Sequence, residues 1–139
     1  MTHPLSPRTL LVVGAGGAIG AVARYGVATA FPVAEETFPT TTFVINTAGA
    51  FLLAFVLGTL VRRATPDHWI RLFVGVGVLG AFTTFSTLAT ELALLVRADR
   101  WGVAVAYAAA SVGAGVVAVL LGLALAGRRG GPVPDEVES

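Results

Sequence analysis

The sequence contains no cysteine and no lysine. The first absence excludes a disulfide, a thiolate metal site and a cysteine nucleophile. The second leaves all nine basic residues as arginine, scattered in ones and twos without the basic stripe that nucleic acid requires. Charge of either sign is scarce, with Asp, Glu, Lys and Arg at 12% of the 139 residues, against about 25% in ordinary soluble domains. A formal net charge of +1 gives no electrostatic ground for an acidic substrate either. The two histidines, His3 and His68, lie in separate polar segments and do not make a metal site. No small-residue cleavage site followed by polar sequence comes after the first apolar run, so that run is expected to stay as a helix and not to be removed as a signal peptide.

What is abundant is apolar surface. Hydrophobic residues make up 55% of the chain, too many for a small domain that must show water a polar shell. A spanning helix needs about 20 mainly apolar residues to cross roughly 30 Å of hydrocarbon. Four stretches meet that length: Thr9 to Phe31, Thr40 to Val61, Trp69 to Val96, and Trp101 to Gly127. The second and fourth hold no charge at all, and Trp69 and Trp101 open their spans at headgroup level. The connectors are short and rich in proline, glutamate and arginine, which makes successive spans antiparallel. The expected architecture is an all-α membrane protein of four transmembrane helices in one domain, residues 1–127, followed by a polar, disordered tail, 128–139. Arg8, Arg62, Arg63, Arg71, Arg128 and Arg129 fall on the side of the termini, against Arg97 and Arg100 opposite. The positive-inside rule places that first side in the cytoplasm of a multi-pass cell-membrane protein.

The run Leu11-Val-Val-Gly-Ala-Gly-Gly-Ala-Ile-Gly20 imitates a strand entering a dinucleotide-binding turn. Its glycine register is wrong, because the third glycine would fall at Ile19, and no second strand and helix follow. Gly16 and Gly20 instead form a small-xxx-small stripe for close helix packing, as do Ser111 with Gly115 and Gly122 with Ala126.

Polar residues within spans are costly and need a partner or a cavity. Thr42 and Asn46 share a face of the second span, with Gly49 on nearly the same stripe. Asn46 either bonds a neighbouring helix or offers its amide to an ion. In the third span, Gly77-Val-Leu-Gly-Ala-Phe-Thr-Thr-Phe-Ser-Thr-Leu88 crowds Thr83, Thr84, Ser86 and Thr87 beside glycines. Either these hydroxyls bond back and kink the helix, or the helix breaks there. A break survives in a membrane only where freed backbone groups are buried in protein or face water or an ion. Tyr107 and Ser111 share a face of the fourth span. Arg24 is the one cation deep in a span and is a site candidate, a carbonyl cap or a snorkelling side chain. Glu91, near the end of the third span, is expected at the headgroups.

Three segments together resemble the Fluc fluoride channels, also called the CrcB family: Gly16-Gly-Ala-Ile-Gly-Ala-Val-Ala-Arg-Tyr25, Val44-Ile-Asn-Thr-Ala-Gly49, and Gly80-Ala-Phe-Thr-Thr-Phe-Ser-Thr87. The resemblance covers nearly the whole chain, with the spans in the same order. It implies a dual-topology antiparallel dimer with two fluoride pores. It further implies a structural Na⁺ at the dimer centre, held by main-chain carbonyls that map onto Gly80 and Thr83. Asn46 becomes a pore amide donor and Phe85 a ring whose positive edge meets the ion. Thr42, Thr84, Ser86, Thr87, Tyr107 and Ser111 contribute polar groups beside it, and Arg24 lies near a vestibule. Two positions depart from the family pattern. Leu88 stands where a second phenylalanine is usual, so that one ring contact is absent or Phe82 takes its place, and Ala81 stands where glycine is frequent. The arginine bias is also at odds with insertion both ways, which leaves open a pair of related subunits of opposite orientation. The rival classes are a proton-coupled multidrug exporter, which needs an acid in the first span where this chain has Arg24, and a scaffold subunit without transport.

Overall fold

The computed structural model describes residues 6–61 and 68–129, and within them it is helical, with no strand. Helix α1 covers Pro7–Ala30 and α2 covers Thr40–Val61. The third span begins with a short α3, His68–Ile70, continues as a π-helical segment, Arg71–Leu79, and then as α4, Gly80–Phe82. It resumes as α5, Phe85–Arg97, and α6 runs over Trp101–Arg129. Among the described residues, four stretches are long and apolar enough to cross a membrane: Pro7–Ala30, Thr40–Val61, Arg71–Arg97 and Trp101–Arg128. The protein is therefore a multi-pass membrane protein. Their limits match the hydropathy reading to within a few residues. Arg128 and Arg129 continue α6, and the rest of the expected tail, like the 62–67 connector with Arg62 and Arg63, lies outside the described residues.

Local chemistry explains the ends. Ser6 caps α1, its Oγ accepting from the Thr9 N–H at 3.2 Å, with Pro7 at the first helical position, where a missing N–H costs nothing. After α5 the chain reverses through Asp99 at φ 56°, a left-handed conformation that Asp tolerates. The Arg100 N–H reaches back to Leu95 O at 2.9 Å and closes the turn.

The bundle is built from two close pairs, α1 with the π segment and α4, and α2 with α6. Glycine makes both possible. A Cβ on Gly77 would sit 2.9 Å from Val13 O and 3.0 Å from Gly16 Cα. A Cβ on Gly16 or Gly20 would overlap the Phe73 or Val78 carbonyl. In the second pair, a Cβ on Gly122 would fall 2.5 Å from Phe51 O, and Ala126 is almost fully buried. The Gly16/Gly20 and Gly122/Ala126 stripes thus do what their spacing foretold, whereas Gly115 has open space in front of it. The π geometry is the unexpected element. Such helices are usually single turns, yet this one runs for nine residues, its last bond joining the Gly80 N–H to Gly75 O.

Candidate functional site

The helical path of the third span stops at Phe82 and resumes at Phe85, close to the middle of the Arg71–Arg97 stretch. Thr83 and Thr84 between them are extended, with ψ 155° and 119°. The Thr83 N–H and hydroxyl both donate to Leu79 O, each at 3.1 Å, which ends α4. Its γ-methyl fills the place where Gly49 has no side chain.

Thr84 turns its backbone toward α2. Its N–H donates to Asn46 Oδ1 at 2.8 Å and its carbonyl accepts from Asn46 Nδ2 at 2.9 Å. The carboxamide therefore pairs with this one residue as a neighbouring strand would, satisfying two groups that the interruption strips of helical partners. The Gly80 carbonyl loses the donor that a continuous helix would have supplied, because the Thr84 N–H is committed to Asn46. On the far side, Thr84 Oγ1 caps α5. It accepts from the Thr87 N–H at 3.1 Å, donates to Thr87 Oγ1 at 2.9 Å, and lies 3.2 Å from Ser86 Oγ. The amides of Phe85 and Ser86 begin α5 with no carbonyl one turn back, and the positive end of the helix dipole lies there. Main-chain carbonyls on one side and main-chain amides on the other thus flank a mid-membrane gap.

A second polar cluster ties three spans together. Glu91 on α5 accepts from the Thr42 hydroxyl at Oε1 and from the Tyr107 hydroxyl at Oε2, each at 2.7 Å. Tyr107 is fully buried and Thr42 nearly so. Apolarity and position in the span place Glu91 toward the headgroups, and it does border the exposed α1–α2 connector beside Glu35 and Glu36; what the structure adds is its bonding. Two hydroxyl donors at charge-assisted distance hold the carboxylate in place. Thr87 and Glu91 share a face of α5 by their spacing, but that spacing does not tell that Thr42 and Tyr107 lie opposite.

Asn46, Thr84, Ser86 and Thr87 are thus brought together, and Thr42 joins Tyr107 through Glu91. Phe82 packs inward against Gly49, whereas Phe85 is 82% exposed and faces out of the bundle. Leu88 packs against the Leu95, Ala104 and Tyr107 core. Ser111 Oγ is buried and has no hydrogen-bond partner among the described residues. Gly80 is exposed, and Arg24 sits half-buried on α1, one turn past the contact of Gly20 with Val78. Among the described residues no group of three or more His, Asp or Glu is placed to hold a metal ion.

A four-span bundle with a donor-lined interruption at mid-depth has the makeup of a membrane protein that passes ions. The chain belongs to the CrcB family, described as CrcB-like protein, Camphor Resistance (CrcB), whose profile matches residues 11–123. It is 46% identical over 125 residues to the fluoride-specific ion channel FluC of Phenylobacterium zucineum, covering 87% of this chain and 97% of that one. It is 46% identical over 116 residues to the protein of the same name from Novosphingobium aromaticivorans, covering 81% and 91%. With fluoride-specific ion channel FluC 3 of Streptomyces avermitilis the identity is 41% over 116 residues, spanning 84% of this chain and 57% of that relative.

Proposed function

We propose that the protein conducts fluoride passively out of the cell and so relieves cytoplasmic fluoride toxicity. The observation that carries this reading is the Asn46–Thr84 pairing across the interrupted third span. Fluoride is small and strongly hydrated, and a pore for it must replace water with amide and hydroxyl donors without binding so tightly that the ion cannot leave. The amides opening α5, the hydroxyls of Thr84, Ser86 and Thr87, and the Asn46 amide are groups of that kind. The names of the relatives point the same way. Weakly acidic HF enters across the bilayer and dissociates inside, and a channel lets the trapped anion leave down its gradient. No acid lies in α1, where a proton-coupled exporter would need one. Reconstitution into liposomes with a fluoride electrode tests the reading: fluoride efflux without a proton requirement is expected, and its absence in every subunit combination would refute it.

The working unit is an antiparallel dimer in the bilayer, supported by the outward-facing Phe85 and the exposed Gly80, both of which a second subunit would cover. The same face suits Na⁺. The Gly80 carbonyl lacks its helical donor and Thr83 turns its carbonyl out of the helix, and neutral backbone oxygens at a membrane helix break are ligands of the right hardness. Bound there, the ion would supply a fixed positive charge at the dimer centre. The arginine bias favours a second form of this reading, in which the chain has cytoplasmic termini and pairs with a related subunit of opposite orientation.

A further inference from the structure

On the flank of the α2–α6 pair lies an open groove of about 550 Å³, walled by Val44, Ala48 and Leu52 on α2 and by Val117, Ala118 and Leu121 on α6. Its origin is in the sequence. Ala48 and Ala118 are short where the valines and leucines stand up around them, so the ridges of the two helices leave a furrow at their crossing. The ring of Phe51, stacked on Phe55 at 6.3 Å, lines it as well. Just beyond Leu121 the helices close up, where Gly122 meets Phe51 O and Ala126 meets Gly58.

No polar atom faces the groove, so water gains nothing by entering it. Both helices are membrane spans, and hydrocarbon is what surrounds it. A second copy of the chain is poorly placed to fill it. The α2 residues that meet the third span are Thr42, Asn46 and Gly49, and Val44 and Ala48 each lie two positions from Asn46, about 200° of helical turn away. The groove therefore opens away from the interruption, on the far side of α2 from the face that a partner subunit would cover.

One end of the groove is marked by charge. Leu125 and Arg128 continue the face of Leu121 on α6, and Arg128 is exposed about 10 Å beyond Leu121 along the helix axis. Among the described residues every acid, Glu35, Glu36, Glu91 and Asp99, belongs to the other end of the bundle.

We propose that the groove holds an acyl chain of an anionic phospholipid from the leaflet on the side of the termini, with the headgroup phosphate bound by Arg128. An acyl chain suits walls that offer only apolar contact, and a guanidinium pairs with phosphate through two donors in its plane. The lack of acids at that end leaves no partner for an ammonium headgroup, which favours a lipid of net negative charge. The site stands apart from the polar clusters and does not depend on which ion the protein conducts.

The test counts bound lipid. The full chain, purified in mild detergent, is mixed with phosphatidylglycerol or phosphatidylcholine of equal chain length, and retained lipid is measured by native mass spectrometry. The parent protein is expected to keep at least five times more phosphatidylglycerol than phosphatidylcholine. Ala48→Trp, which fills the furrow from an exposed position, and Arg128→Gln are each expected to lose at least fivefold of the bound phosphatidylglycerol, while Val22→Trp, exposed on α1 outside the groove, keeps it within twofold. Equal retention by all four proteins overturns the site. Loss in Ala48→Trp with full retention in Arg128→Gln overturns the headgroup contact, as does equal binding of the two lipids. Arg128→Gln alters an exposed side chain and carries the test if Ala48→Trp does not elute as a single species. The chain has no cysteine of its own, so Ala48→Cys in a bilayer reports on the other occupant. The thiol is expected to stay unlinked on oxidation, and disulfide-linked pairs would place a second copy in the groove and overturn the lipid.

Discussion

Asn46 holds the two ends of its carboxamide against the N–H and the carbonyl of one residue, Thr84, in the interruption of the third span, and no other side chain of similar length does both jobs. Leucine or alanine leaves the Thr84 N–H and carbonyl without partners in a low-dielectric setting, at about 1–3 kcal/mol for each unsatisfied group. Asn46→Ala is therefore expected to lower thermal stability in detergent by a few degrees and to cut fluoride efflux at least tenfold. Asn46→Asp keeps an acceptor for the Thr84 N–H, loses the donor and adds a negative charge. It should fold better than the alanine variant yet conduct no better, and equal flux from Asn46→Asp and the parent protein would remove Asn46 from the pore. The Tyr107 hydroxyl makes a different kind of contact. Tyr107→Phe keeps the ring packing on Phe38 and removes one of the two donors to Glu91, so the loss of a charge-assisted bond, about 1.5–3 kcal/mol, sets the upper bound on destabilisation. A larger drop in melting stability would mean that the ring had moved as well.

Packing between elements depends on which glycines are in contact and which are not. Gly20→Ala drives a methyl group into the Val78 carbonyl of the π segment, and overpacking of this kind costs about 1–3 kcal/mol. Gly26, on the same helix, has nothing within 4 Å of the place a methyl group would take. Gly26→Ala should be neutral or stabilising by up to about 1 kcal/mol through helix propensity. Melting curves of the two variants in one detergent distinguish a packing stripe from mere glycine content, and equal effects would deny the stripe. These contacts also show what a sequence can and cannot say. The spans were legible because length and apolarity are properties of a segment by itself, and Gly16 and Gly20 were legible because their spacing is regular. The π segment was not, since a shift from i−4 to i−5 bonding leaves no signature in the apolar pattern of Arg71–Leu79. The Glu91 pairing was hidden for a related reason. Helical spacing gives the face on which a residue lies, and only the packing of α2, α5 and α6 tells which groups wait opposite. The donors around Thr84 could be read as a set, but their pairing with Asn46 could not.

Orientation in the bilayer is a property of the whole chain, and here sequence and proposed assembly pull apart. Arg8, Arg62, Arg63, Arg71, Arg128 and Arg129 weight one face of the four-span bundle against Arg97 and Arg100 on the other. A chain that inserts equally both ways needs these counts nearly equal, because flanking arginines on short loops decide topology. An antiparallel pair made from this chain alone requires half of the copies to insert against the bias. The expected outcome is that a C-terminal tag is reached by protease from only one side of membrane vesicles, and that the lone protein gives little efflux until a subunit of opposite bias is supplied. Replacing Arg62, Arg63, Arg128 and Arg129 by Gln leaves two arginines on each side. That variant should show the tag on both sides and gain efflux on its own. Robust efflux from the unaltered protein by itself would sink the paired-subunit form and leave the homodimer, in which case the arginine bias does not choose a direction.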